Sequence, residues 1–209
     1  MAGTPTDRKD IVISRPYEQI GVAIGRKMSG KSYAVKTLLE PVQRLIVWDY
    51  NWEHTDKIIV HNLQGLDFAW KTAHRKRIAF QPLSRTPEAF EQFLTQVYTY
   101  RYVCLLIEEI RVYTMKNKTP KVLFDIIDTG RFIPKIGLWC TSRRSFGITV
   151  DIMYNADHIL AFKQYKPEDL KYLGEYMDSD LVEQLKTQPP YYFVYFNGET
   201  GESYIHEPL

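Results

Sequence analysis

Residues 25–32 read Gly25-Arg26-Lys27-Met28-Ser29-Gly30-Lys31-Ser32, a complete G-x-x-x-x-G-K-[ST] motif. Few octapeptides restrict a fold so strongly, because the motif works only between a strand and a helix. Its glycine-rich stretch aims backbone N–H groups at the α- and β-phosphates of a nucleotide. Lys31 reaches the β- and γ-phosphates, and Ser32 offers a hydroxyl to Mg²⁺. The helix that follows adds its positive N-terminal end. The apolar run Ile20-Gly21-Val22-Ala23-Ile24 suits a buried strand before the loop. After it, Val35, Leu38 and Leu39 share one helical face. Gly25 to Tyr33 are therefore the candidate nucleotide-binding residues, in preference to a surface Gly/Ser turn.

The rest of the chain alternates in the same way. Strands are expected at Arg44–Trp48, Arg77–Phe80, Tyr102–Ile107, Ile136–Cys140 and His158–Phe162, and a short edge strand at Ile11-Val12-Ile13. Thr86-Pro87 signals a helix start, with Thr as cap and Pro at the first position. Phe90, Phe93, Leu94, Val97 and Tyr98 then keep helical period. Thr119-Pro120 opens another helix, with Val122, Leu123, Ile126 and Ile127 inward and Gly130 near its end. Pro167 begins a helix carrying Leu170, Leu173 and Met177, and Ser179 caps a last short one. Tyr191 to Phe196 and Tyr204-Ile205 flank Asn197-Gly198, which predicts a C-terminal β-hairpin. Alternating strands and helices imply an α/β fold, with a mostly parallel sheet covered by helices on both faces.

Composition sets the outer bounds. The 209 residues fit one domain at 11–209 behind a flexible arm at 1–10. A hydrophobic fraction of 44% is enough for a core. No signal peptide is expected, and no apolar run approaches the ~20 residues that span a membrane. The chain is expected to be soluble and cytoplasmic. Its two cysteines, Cys104 and Cys140, lie in apolar runs and read as packing residues. The five histidines show no ligand spacing, so no zinc site is expected. A net charge of +2 is not that of a protein holding nucleic acid by charge alone. It leaves room for one that grips through a few loops.

A nucleotide hydrolase also needs a carboxylate on the metal side and a group that activates water. The strand ending at Ile107 runs into Glu108-Glu109. Its carboxyl end should lie beside the phosphate loop, where ligands gather in open α/β sheets. Adjacent residues leaving a strand point in different directions, so Glu108 is assigned to the metal and Glu109 to the general base. Glu108 carries one methylene more than the commoner Asp and must reach differently. A third element, Cys140-Thr141-Ser142-Arg143-Arg144-Ser145, follows a core strand. A polar residue there could sense the γ-phosphate, and Arg143 or Arg144 could stabilise charge on the transferred phosphoryl group, in cis or in trans.

The phosphate loop, Leu105-Leu106-Ile107-Glu108-Glu109, Thr129-Gly130-Arg131, the Trp139-to-Ser145 block and Asn155-to-Phe162 together resemble the FtsK–HerA superfamily of DNA-pumping ATPases. The small size is most similar to the genome-packaging ATPases of membrane-containing icosahedral viruses. That resemblance implies a RecA-like P-loop fold, ATP and Mg²⁺ as cofactors, and hydrolysis coupled to translocation of double-stranded DNA into a preformed capsid. It implies a homo-oligomeric ring, pentameric or hexameric, docked on capsid or membrane-vertex proteins and associated with the virion or the host cytoplasm. The superfamily usually has Gln where Ser142 stands, as sensor, and Pro where Arg144 stands. Arg131 is a further candidate finger toward a neighbour. Lys27 departs from the small residues often found inside the loop and could add charge near the γ-phosphate.

Two basic stretches are candidates for holding DNA phosphates, which lysine and arginine contact without reading sequence. One is Arg111, Lys116, Lys118 and Lys121, and the other is Lys71, His74, Arg75, Lys76 and Arg77. The first is favoured because it follows the Glu pair directly. Alternatives are a cellular or plasmid translocase of the same superfamily, a P-loop kinase, a GTPase switch and a non-enzymatic capsid or DNA-binding protein. Asn117-Lys118-Thr119-Pro120 lacks the Asp of a guanine-reading block.

Overall fold

A computed structural model describes residues 11–115 and 119–209. The proposed arm at 1–10, and Lys116, Asn117 and Lys118, lie outside the described residues. Among the described residues, nine strands run in chain order as β1 (Ile20–Ile24), β2 (Arg44–Trp48), β3 (Ile58–Val60), β4 (Lys76–Phe80), β5 (Val103–Ile107), β6 (Ile136–Ser142), β7 (His158–Phe162), β8 (Phe193–Asn197) and β9 (Glu202–His206). The helices are α1 (Lys31–Leu38), α2 (Leu63–Thr72), α3 (Pro87–Tyr98), α4 (Arg111–Thr114), α5 (Lys121–Asp125), α6 (Val150–Tyr154), α7 (Pro167–Gly174) and α8 (Ser179–Gln184). The strands form one sheet in the order β3-β4-β2-β5-β6-β1-β7-β8-β9. All pairings from β3 to β7 are parallel, and β7-β8-β9 are antiparallel.

The parallel strands read as continuous apolar runs because both their faces are covered. Every residue of β1, β5, β6 and β7 is buried. The two faces are covered unequally. On one, Trp48 of β2 and Leu105 of β5 meet Leu66, Phe90, Phe93, Ile127, Ile152 and Leu173 from the helical layer. On the other, Leu45, Val47, Cys104, Leu106, Trp139 and Leu160 meet Ala34, Val35 and Leu38, and among the described residues α1 is the only helix there.

Most expected elements are present, and the differences have local causes. Ile11-Val12-Ile13 is not a strand; Ile11 and Ile13 pack across the thinly covered face, since β3 and β9 already occupy the two sheet edges. The helix expected from Thr119-Pro120 is α5 continued by a π-helical turn, Ile126–Gly130. Asp178, not Ser179, caps α8: its carboxylate accepts the N–H groups of Asp180 and Leu181 at 2.9 and 3.1 Å. Four elements had no counterpart in the expectations: β3, α2, α4 and α6. Thr86 caps α3 as expected, accepting the Ala89 N–H at 3.3 Å.

Because β1, β2, β5 and β6 are parallel, their carboxyl ends share one edge of the sheet. That edge carries the phosphate loop, the loop after β2, Glu108-Glu109 and the Thr141-to-Ser145 block. Among the described residues, no helix is long and apolar enough to cross a membrane.

Candidate nucleotide site

The loop begins where β1 ends, and the Gly25 N–H donates to the Ser142 carbonyl at 3.0 Å, tying it to β6. A methyl group on Gly25 would lie 2.6 Å from Cβ of Phe162, so only glycine fits. Gly30 has φ 98° and opens α1, a conformation that favours glycine. Lys31 is only 8% exposed. Burial pulls its pKa below the usual lysine value, and the nearby Glu109 carboxylate opposes that shift.

Lys27, Met28, Ser29, Gly30, Lys31, Ser32 and Tyr33 line a cavity of about 420 Å³ together with Asn51, Glu53, Glu108, Glu109, Thr141, Arg143 and Tyr191. The loop, both glutamates and Arg143 thus meet in one space. Arg26 turns aside, its guanidinium 4.7 Å from the ring centre of Tyr165.

The two glutamates part as strand geometry requires. Glu108 is 2% exposed, and burial raises its pKa, partly offset by a hydrogen bond with His54. Its Oε1 lies 3.0 Å from Nε2 of His54, while Oε2 is buried with no partner among the described residues. Glu109 takes φ 53°, an uncommon backbone for a residue with a side chain and a frequent mark of functional sites. Thr141 props it there: the Ile110 N–H donates to the Thr141 carbonyl at 3.0 Å, and the Glu109 N–H lies 3.4 Å from its Oγ1. The Glu109 carboxylate accepts from Nε of Arg143 at 2.8 Å.

The other arginines and the sensor position fall elsewhere. Ser142 is fully buried, and its hydroxyl donates to the Arg144 carbonyl at 2.7 Å, closing a turn rather than facing the cavity. Arg144 pairs with Asp169 at 2.9 Å and Glu168 at 3.5 Å at the start of α7. Arg131 lies at the opposite end of the sheet, 3.8 Å from Asp157, the residue preceding β7. Of the second basic stretch, Arg77 donates to the carbonyls of Leu39, Glu40 and Val42, Lys76 to that of Trp70, and Lys71 pairs with Asp67. Arg111 donates to the Phe146 carbonyl at 2.7 Å.

Several site residues escaped sequence reasoning. Asp49 directly follows β2, and its carboxylate accepts the N–H groups of Glu53 and His54 and the amide of Gln81 at 2.8, 3.0 and 3.0 Å. This folds the loop after β2 so that His54 reaches Glu108. Asp49, His54 and Glu108 place ligand atoms within 4.8 Å of one another, close enough to hold a cation. The oxygens of Asp49 are already engaged by three donors, and His54 faces Glu108 as a hydrogen-bond partner, so the trio reads as a brace. Only the aspartate closing an apolar strand hinted at this.

A second, mostly apolar cavity of about 360 Å³ adjoins the first, sharing Gly30, Tyr33 and Tyr191 with it. Ala34, Phe162, Phe193, Pro208 and Leu209 complete its lining. Tyr191 takes φ 68°, and its Cδ1 would lie 3.1 Å from a methyl on Gly30, so its ring lies over the loop.

No protein-family model matches the chain, and no curated protein matches it in sequence. Solved structures do. The genome packaging NTPase B204 of Sulfolobus turreted icosahedral virus 2, in complex with AMPPCP, is similar with a TM-score of 0.79 and 21% identity over 92% of this chain and 98% of that one. The DNA-packaging ATPase B204 of Sulfolobus turreted icosahedral virus gives 0.77 and 23%, over 92% and 98%. VirB4 of Thermoanaerobacter pseudethanolicus gives 0.62 and 8%, over 91% and 89%. At such identities the likeness establishes the fold alone: the chain shares the mostly parallel α/β architecture of these packaging NTPases.

Proposed function

We propose that this chain hydrolyses ATP to move double-stranded DNA, packaging a viral genome as a ring of identical subunits docked on capsid or membrane-vertex proteins. The observation that carries this reading is the meeting of Lys31, Glu108, Glu109 and Arg143 around one cavity, in a fold shared with two viral packaging ATPases. The loop N–H groups and Lys31 bind the phosphates. Ser32 and Glu108 fit a role in holding Mg²⁺, since Ser32 lines the cavity and the buried Oε2 of Glu108 lacks a partner. When bound, Mg²⁺ neutralises charge on the β- and γ-phosphates.

Glu109 takes a proton from the attacking water as the bond from the γ-phosphorus to the bridging oxygen breaks, and ADP leaves. Arg143, which holds Glu109 in this structure, is the arginine placed to swing onto the γ-phosphate and release the base. The nucleobase occupies the adjoining apolar cavity against Tyr33 and Tyr191. Among the described residues its lining is apolar or tyrosine, which supports weak reading of the base edges, with ATP and GTP turning over within about 10-fold of each other.

The test is turnover of ATP by the purified chain without DNA, with single-stranded DNA and with double-stranded DNA. Stimulation by the duplex beyond that by single strands, absent in Lys31→Ala, is expected. Turnover that ignores DNA but rises with a small phosphate acceptor would replace the motor with a kinase.

A further inference from the structure

The loop after β2 contributes a side chain that the phosphate motif and the glutamate pair do not predict. We infer that His54 is a positioning residue, which fixes the rotamer of Glu108 and so decides which of its oxygens is presented to the nucleotide's metal. The inference rests on the nucleotide-binding reading above.

Its basis is geometric. His54 is 1% exposed and Glu108 2%, so neither exchanges partners with water. In the ionised form that a metal would bind, the Glu108 carboxylate only accepts hydrogen bonds, so across the 3.0 Å contact Nε2–H of His54 then donates to Oε1. This leaves Oε2 as the free acceptor, and it has no other partner among the described residues. The His54 backbone is anchored where it leaves the loop, because its main-chain N–H donates to Asp49, whose own N–H donates to the Phe80 carbonyl at 2.9 Å, and burial confines the ring. Gln81 holds the same Asp49 oxygen from the end of β4. Three strand ends, those of β2, β4 and β5, are thereby joined through buried hydrogen bonds.

Such a brace answers a need particular to this chain. A glutamate at this position has one more rotatable bond than an aspartate, and an unbraced carboxylate would sample several rotamers. Partners behind a metal-directed carboxylate commonly change metal affinity by about 10- to 100-fold when removed. The same loop places Asn51 and Glu53 in the phosphate cavity, so it is part of that cavity's wall.

The experiment measures Mn²⁺ affinity by electron paramagnetic resonance in the full chain saturated with a non-hydrolysable ATP analogue. Wild type is compared with His54→Leu, which removes the donor, and His54→Gln, which keeps one at similar reach. The expected result is Mn²⁺ binding weakened about 10-fold or more in His54→Leu and restored to within about 3-fold in His54→Gln. Affinity for the analogue without metal should change less than about 2-fold. A merely structural histidine would lower the melting temperature of both variants and leave Mn²⁺ affinity unmoved; that outcome overturns the brace alone. A wild type that fails to bind the analogue would overturn the nucleotide reading and the brace with it.

Discussion

Three side chains meet at the cavity in different settings: Lys31 lines it, nearly buried, Glu108 is hydrogen-bonded at one oxygen, and Glu109 is paired with Arg143. Lys31→Ala should abolish tight nucleotide binding, read by equilibrium titration with a fluorescent ATP analogue. Glu109→Gln should bind it normally while kcat falls by about 10²-fold or more, since proton abstraction is lost. Normal turnover in that variant would remove Glu109 as base. His158 offers a prediction about stability. It is 4% exposed, its Nδ1 lies 2.7 Å from the hydroxyl of Tyr195, and burial lowers its pKa from about 6.5. Below about 6.5 the unfolded chain binds a proton that the native state refuses, so stability falls with pH until the native pKa is passed. Urea midpoints at about pH 7.5 and about 5.5 should differ less in His158→Gln than in wild type. Lys31 and Glu109 were legible in sequence because local motifs carry them. His54 was not, since its partner stands 54 residues away and one histidine in a loop has no spacing to read.

At the level of elements, strong periodicity and end signals were readable and weak ones were not. Helix α3 has both a Thr cap with Pro behind it and an apolar stripe whose Phe90, Phe93, Leu94 and Val97 are fully buried. Thr86→Ala should therefore cost about 1 kcal/mol in urea denaturation. Trp48 is fully buried on β2, in ring contact with Phe80, Phe90, Phe93 and Tyr113. Trp48→Ala should cost about 3–5 kcal/mol by the same measurement. By contrast, β3 spans three residues, with Ile58 and Ile59 each 41% exposed, so neither length nor alternation marked it. Ile11-Val12-Ile13 shows the opposite failure. Its in-out-in pattern is real, with Val12 66% exposed, but a strand also needs a free sheet edge, which a local pattern cannot report.

At the scale of the whole molecule, sheet order decides which blocks meet. Glu109 and Arg143 are 34 residues apart and touch because β5 and β6 are parallel neighbours. This contact within one chain supports the proposal that Arg143 acts in cis. Arg143→Ala should abolish turnover while sparing nucleotide binding. Mixing Arg143→Ala with Glu109→Gln subunits should restore nothing, because each retains a defective site. Recovery above either variant alone would mean that the arginine reaches a neighbour. Arg144 and Arg131, equally eligible in sequence, were separated from the cavity by Asp169 and Asp157, acids that no nearby motif announces.

The unequal dressing of the sheet bears on how such a protein could do work. One flank is a thick laminate of helices; on the other, α1 lies nearly alone, with the phosphate loop at its tip. Among the described residues α1 is thus packed through one face, with the cavity at its N-terminus. Amide exchange in α1 should accordingly slow more on nucleotide binding than exchange in α3, whose packing on the heavy flank is already complete.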